Sequence, residues 1–163
     1  DLTHIEHMFS LANQVADQIE DHDAMYLAIW FHDVIQKLGR DSEQLSADFA
    51  VKKLMALGAP KIFCQLVSAL IVSTAHDQAD VQSGDEALLV DIDLAILGVS
   101  RITYQTYSRL CRKEYNIPQS LYVSGRRKVL KAFLAQTQIF RTSYFYQRFE
   151  NSARKNIQWE LSL

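Results

Sequence analysis

The sequence predicts an all-α fold, a single domain of seven to eight helices. Three observations carry that prediction. The chain holds only two prolines and five glycines in 163 residues, and they fall between segments of helical periodicity, as helix punctuation does. No stretch shows the sustained alternation of a half-buried strand. Hydrophobic residues make up 48% of the chain, enough apolar side chain for one core of its own.

Each element follows from its own residues. A first helix is expected over 2–20, with Ile5, Met8, Phe9, Ala12, Val15, Ala16 and Ile19 on one stripe. The second, 23–36, is apolar nearly all round, which suits a central helix. Gly39 ends that region. Asp41 or Ser42 caps a third helix with Ala47, Val51, Leu54 and Met55 inward, and Gly58 stops it. Pro60 fits the first turn of a fourth helix reaching 75. Ser83 and Glu86, three apart, form a capping box for a fifth, which Gly98 closes. Ser100 caps a sixth helix, to 116. Pro118 starts a seventh, to 136, and the last covers 142–161. No internal repeat, low-complexity tract or linker divides the chain.

The formal net charge is -2, which gives no general reason to expect nucleic acid or an anionic membrane as partner, though local patches stay open. No run approaches the roughly 18 apolar residues of a membrane span. Cys64 and Cys111 sit in apolar helical contexts without metal-binding spacing. They read as core thiols of a cytoplasmic protein. The chain opens at Asp1 inside a helix-forming segment, so its amino terminus reads as truncated.

One stretch points to chemistry: "LAIWFHDVIQ", residues 27–36, sets His32 and Asp33 side by side in an apolar helix. Neighbours on a helix project about 100° apart, so both can approach one point just off its surface. A metal ion suits such a point, because it accepts nitrogen and oxygen together and neutralises a carboxylate that is costly to bury alone. Further ligands should lie on other apolar helices. His4 stands in "THIEHM", and Asp91 and Asp93 stand in "LLVDIDLAIL". The two aspartates face different sides of a helix, so one of them reaches the doublet. A His-Asp pair alone says little, since His76-Asp77 at a polar helix end is a second one. His7 and His22 read as ordinary surface or core histidines.

The order His, then His-Asp, then Asp on separate helices resembles the HD superfamily of metal-dependent phosphohydrolases. It is more closely similar to a bacterial subgroup of predicted HD phosphohydrolases. "THIEHM", "AIWFHDVIQ", "DSEQLSA", "STAHD", "DIDLAILG", "GRRKVLKAFL" and "IFRTSYFYQRFENSARKNIQWEL" resemble its successive blocks, over nearly the whole chain. The resemblance implies an HD-domain helical bundle with His4, His32, Asp33 and Asp93 as ligands of one divalent ion. That ion would be Mn, Fe, Co, Ni, Mg or Zn. It implies hydrolysis of a phosphomonoester or nucleotide by metal-activated water.

Within that frame, Asp33 and Glu43 are the candidate catalytic carboxylates. Glu43 begins the helix after the doublet, where it either moves a proton or simply favours the helix dipole. His76, Arg126 and Lys37 are the candidate phosphate contacts. His76 equally suits a helix C-terminus. Glu6 or Asp91 offers an acceptor for the second nitrogen of a ligating histidine. The partner is then a small phosphorylated molecule or nucleotide, with no membrane, and a homodimer is compatible. The alternatives are a non-catalytic HD-fold module that binds a nucleotide or metal, and a purely structural helical protein.

Overall fold

Pro60, Pro118, Gly58 and Gly98 punctuate the chain as expected, whereas Gly125 stands inside the helix Gln119–Ala135 and Gly39 lies outside the described residues. The computed structural model describes residues 2–36, 42–75, 84–114 and 117–163. Among them are eight α-helices and no strand. The helices are α1 (Leu2–Gln14), α2 (His22–Phe31), α3 (Ser42–Ala56), α4 (Lys61–Ser73), α5 (Gly84–Leu94), α6 (Arg101–Glu114), α7 (Gln119–Ala135) and α8 (Ser143–Leu161). Short 3-10 turns cover Ala16–Gln18 and Ala95–Gly98. Among the described residues, no helix is long and apolar enough to cross a membrane.

The ends show which chemistry set them. Asp21 caps α2, its carboxylate accepting from the Ala24 N–H at 2.9 Å. Asp85, in the first turn of α5, accepts from the backbone N–H groups of Glu20 (2.8 Å) and Asp21 (2.9 Å). That carboxylate ties the entry of α2 to α5. Pro60 and Pro118 stand immediately before α4 and α7. Gly58 follows α3 at φ 85°, and the N–H groups of Gly58 and Ala59 return to the carbonyls of Met55 and Leu54. This is the glycine closure that only a residue without Cβ adopts cheaply. Ser83 and Asp41, expected as caps, lie outside the described residues.

Four expectations are corrected. The first helix stops at Gln14, and Val15 leaves the helical region before the 3-10 turn. The second stops at Phe31 rather than running to 36. The Ser46 hydroxyl of α3 accepts from the Ile35 N–H (3.1 Å) and donates to the Ile35 carbonyl (3.3 Å), so the chain leaves the helix to dock there. Nor is α2 buried all round: Trp30 is 53% exposed. The helix with that character is α5, where Ala87, Leu88, Leu89, Val90, Asp91 and Ile92 are all buried. On α3, Ala47, Ala50 and Leu54 face inward, while Met55 is exposed.

The chain divides into two compact units, Asp1–Asp93 and Leu94–Leu163. In the first, α3 packs on α4, and α2 packs on α4 and α1. In the second, α8 packs on α7 and on the 95–98 turn. A Cβ at Gly98 would lie 2.6 Å from the Phe149 Cβ, so glycine permits that approach. Asn156 then secures the turn, donating to the Leu97 (2.8 Å) and Val99 (2.9 Å) carbonyls.

Candidate metal centre

Three elements of the first unit deliver the polar cluster. His4 comes from α1, His32 from the residue that caps the C-terminus of α2, and Asp93 from the last turn of α5. Each offers one ligand atom, and these atoms all lie within 4.8 Å of one another. His4 Nε2 and Asp93 Oδ1 are hydrogen-bonded at 2.9 Å. His32 Nε2 stands 3.7 Å from Asp93 Oδ1 and 3.7 Å from Asp33 Oδ2. The two imidazole centroids are 5.7 Å apart.

The tautomer of His32 is set by its surroundings. Its Nδ1 is 2.9 Å from the Ile29 carbonyl, which can only accept, so Nδ1 carries the proton. In the neutral form of this tautomer, Nε2 is the nitrogen with the lone pair. That atom is buried and has no hydrogen-bond partner, because 3.7 Å exceeds a hydrogen bond. His4 Nδ1 is in the same state. Leaving a polar atom buried and unmatched costs about 1–3 kcal/mol, and at His32 that atom, Nε2, stands beside the Asp93 and Asp33 carboxylates.

Electrostatics adds to this. Burial disfavours charge on His4, but the hydrogen bond and charge of Asp93, with the charge of Asp33 behind them, outweigh it and raise its pKa. The negative potential at the cluster thus favours the charged imidazole, and a divalent cation answers the same potential. Two imidazoles and a carboxylate suit a first-row divalent ion by softness and charge. His4, His32 and Asp93 could hold a metal ion.

The remaining candidates are placed differently. Asp33 leaves the tight group: with α2 ended at Phe31, its carboxylate is 47% exposed and lies 3.5 Å from the Gln36 amide. Its charge still reaches His4. Glu43 stands in the first turn of α3, partly buried and outside the three-residue group. Lys37 and His76 lie outside the described residues. Arg126 belongs to the second unit, where Glu160 engages its guanidinium at 2.9 and 3.2 Å, and the Tyr107 ring lies 5.8 Å below. The acceptor for His32 Nδ1 is the Ile29 carbonyl, not Glu6 or Asp91.

One residue escaped the sequence reading. His7, an ordinary histidine by its sequence context, has its Nε2 buried without a hydrogen-bond partner. Burial first, then the nearby His4, lower its pKa. Its position one helical turn after His4 was the available signal. The chain matches no family model, no curated protein and no solved structure.

Proposed function

We propose that the chain is a metal-dependent phosphohydrolase of the HD type, acting on a phosphomonoester or nucleotide. The observation that carries this reading is the Nε2 lone pair of His32. It is buried, oriented by Ile29, unmatched by any donor, and 3.7 Å from each of two carboxylates. His4, His32 and Asp93 would hold the ion, and Asp33 would assist from beside the site through its exposed carboxylate. When bound, the ion would polarise a phosphoryl oxygen and the attacking water.

The chain's own residues would do the rest. The Ile29 carbonyl keeps the His32 ring in register, since a ligating imidazole is oriented by what its other nitrogen meets. Glu43 would move the proton between water and leaving group. With Arg126 held by Glu160, phosphate recognition would fall to Lys37 and His76. The exposure of Asp33 favours a second reading, a non-catalytic module that binds metal or nucleotide without turnover.

Elemental analysis after incubation with Mn²⁺ separates these readings. The enzyme and a metal-binding module both expect about one ion per chain, and a chain that takes up no ion sinks both. Phosphate release across a nucleotide and phosphomonoester panel then divides them. In the enzyme, His32→Ala abolishes ion binding and turnover together. Glu43→Gln abolishes turnover with the ion retained.

A further inference from the structure

The near-neutral total charge hides a division between the units. Residues 1–93 carry five Lys and Arg against sixteen Asp and Glu, whereas residues 94–163 carry twelve against three. Two of those three acids are already engaged. Glu160 holds Arg126, and Glu150 holds Arg154 at 2.7 Å together with the N–H groups of Ile139 and Phe140. The second unit is therefore strongly cationic over its surface.

The cationic character is most concentrated on α7. This helix has no carboxylate among its 17 residues, and only Leu130 and Phe133 are buried. At 3.6 residues per turn, Ser120, Ser124, Arg127 and Lys131 form one stripe with Lys128 beside it, and all five are exposed. We propose that this stripe of α7 is a docking surface for the phosphate backbone of a duplex nucleic acid, bound without reading its sequence. Arg and Lys neutralise phosphates and release their counterions, and serine hydroxyls add backbone contacts that carry no sequence information.

Competing partners fit the surface less well. An anionic membrane would need an apolar face beside the cations. The exposed Leu121, Val123 and Val129 point in different directions around α7 and form no such face. A single strand would need aromatic platforms, and the one aromatic of α7 near the stripe's start, Tyr122, is half-buried under Arg112. The inference does not depend on the metal centre.

The test is fluorescence anisotropy with the full chain and a labelled random-sequence DNA duplex, from about 50 to 200 mM salt. Affinity should fall steeply with salt. The triple variant Arg127→Gln/Lys128→Gln/Lys131→Gln should bind about tenfold or more weakly at low salt, with a log–log salt slope shallower by up to about three. Lys52→Gln/Lys61→Gln, on exposed sites of the acidic unit, should bind like the wild type. Circular dichroism checks that both variants keep their helices. The proposal is overturned by a duplex that does not bind at low salt, or by a triple variant within twofold of wild type. It is equally overturned if a single strand, or phosphatidylserine–phosphatidylcholine vesicles, bind more tightly than the duplex. A salt-sensitive dimer in sedimentation, lost in the triple variant, would assign the stripe to the acidic unit of a second copy instead.

Discussion

Arg126 and His32 are both polar side chains set in apolar surroundings, one in each unit, and they differ in what meets them. Around Arg126 the hydrogen bonding closes on itself. Glu160 accepts from its guanidinium at 2.9 and 3.2 Å, and the Tyr104 hydroxyl also donates to Glu160. Burial opposes the charge of Arg126, and Glu160 more than restores it. Burial likewise pushes Glu160 up, and Arg126 pulls it below the ordinary carboxylate range. Around His32 the bonding stays open, with its Nε2 and the Nδ1 of His4 buried and unmatched. A closed cluster lowers the free energy of the fold by itself. An open one raises it until something binds, and a function is the ordinary reason for keeping such a cost.

The sharpest way to break this contrast is to open the closed cluster. Glu160→Gln removes the charge that compensates a buried guanidinium. It should cost roughly 3 kcal/mol of unfolding free energy, the low end for breaking one side of a buried pair. Urea denaturation reads this directly, and Mn²⁺ uptake by the folded variant should be unchanged. A loss under about 1 kcal/mol would place the pair among ordinary surface ion pairs.

The next largest effect comes from filling the open cluster. Ion binding to the folded state alone should stabilise it by about 2.7 kcal/mol at a hundredfold excess over Kd. His32→Ala should abolish that gain. In metal-free protein the same substitution should cost less than Glu160→Gln, because it removes an unmatched buried atom along with the ring. If metal-free His32→Ala proves the more damaging of the two, His32 is a structural residue and the contrast fails.

Acid should act on the closed cluster. Glu160 has a folded pKa depressed below its ordinary value of 4.5, so its contribution is complete above that value and is lost as the pH falls through the lower folded value. The wild type should therefore lose stability more steeply below about pH 4.5 than Glu160→Gln, which has no carboxylate to protonate there. Parallel acid profiles for the two proteins would show that Glu160 is not the group responsible.

These clusters also show what a sequence reveals and what it conceals. His4, His32 and Asp93 were legible because each interrupts an apolar run, and a buried polar residue in such a run demands a partner. The helices were legible from Gly58, Pro60 and Pro118, which act on their immediate neighbours. What escaped depends on contacts across the chain. The Ser46 hydroxyl captures the backbone of Ile35, eleven residues away and past the end of α2 at Phe31, and Asp33 between them is exposed. The Asp85 carboxylate serves backbone groups 64 and 65 residues before it. Arg126 reads as a candidate phosphate contact, and nothing local announces its partner Glu160, 34 residues later. The charge division escaped for a simpler reason: a sum over the chain cancels it.

Asp33 provides the finest test of the open cluster. Its carboxylate is 47% exposed, lies 3.7 Å from His32 Nε2, and acts on His4 through its charge. An exposed carboxylate contributes little to the fold, so Asp33→Asn should leave metal-free stability within about 0.5 kcal/mol of wild type. It should still weaken the ion, by about tenfold if Asp33 assists from beside the site. His32→Ala, which removes the central donor, should leave no measurable binding. Mn²⁺ titration of the two variants reads the difference. Complete loss of binding in Asp33→Asn would make Asp33 a full ligand that turns inward with the ion. Unchanged binding would leave the ion to His4, His32 and Asp93, with the Asp33 charge serving only the surrounding potential.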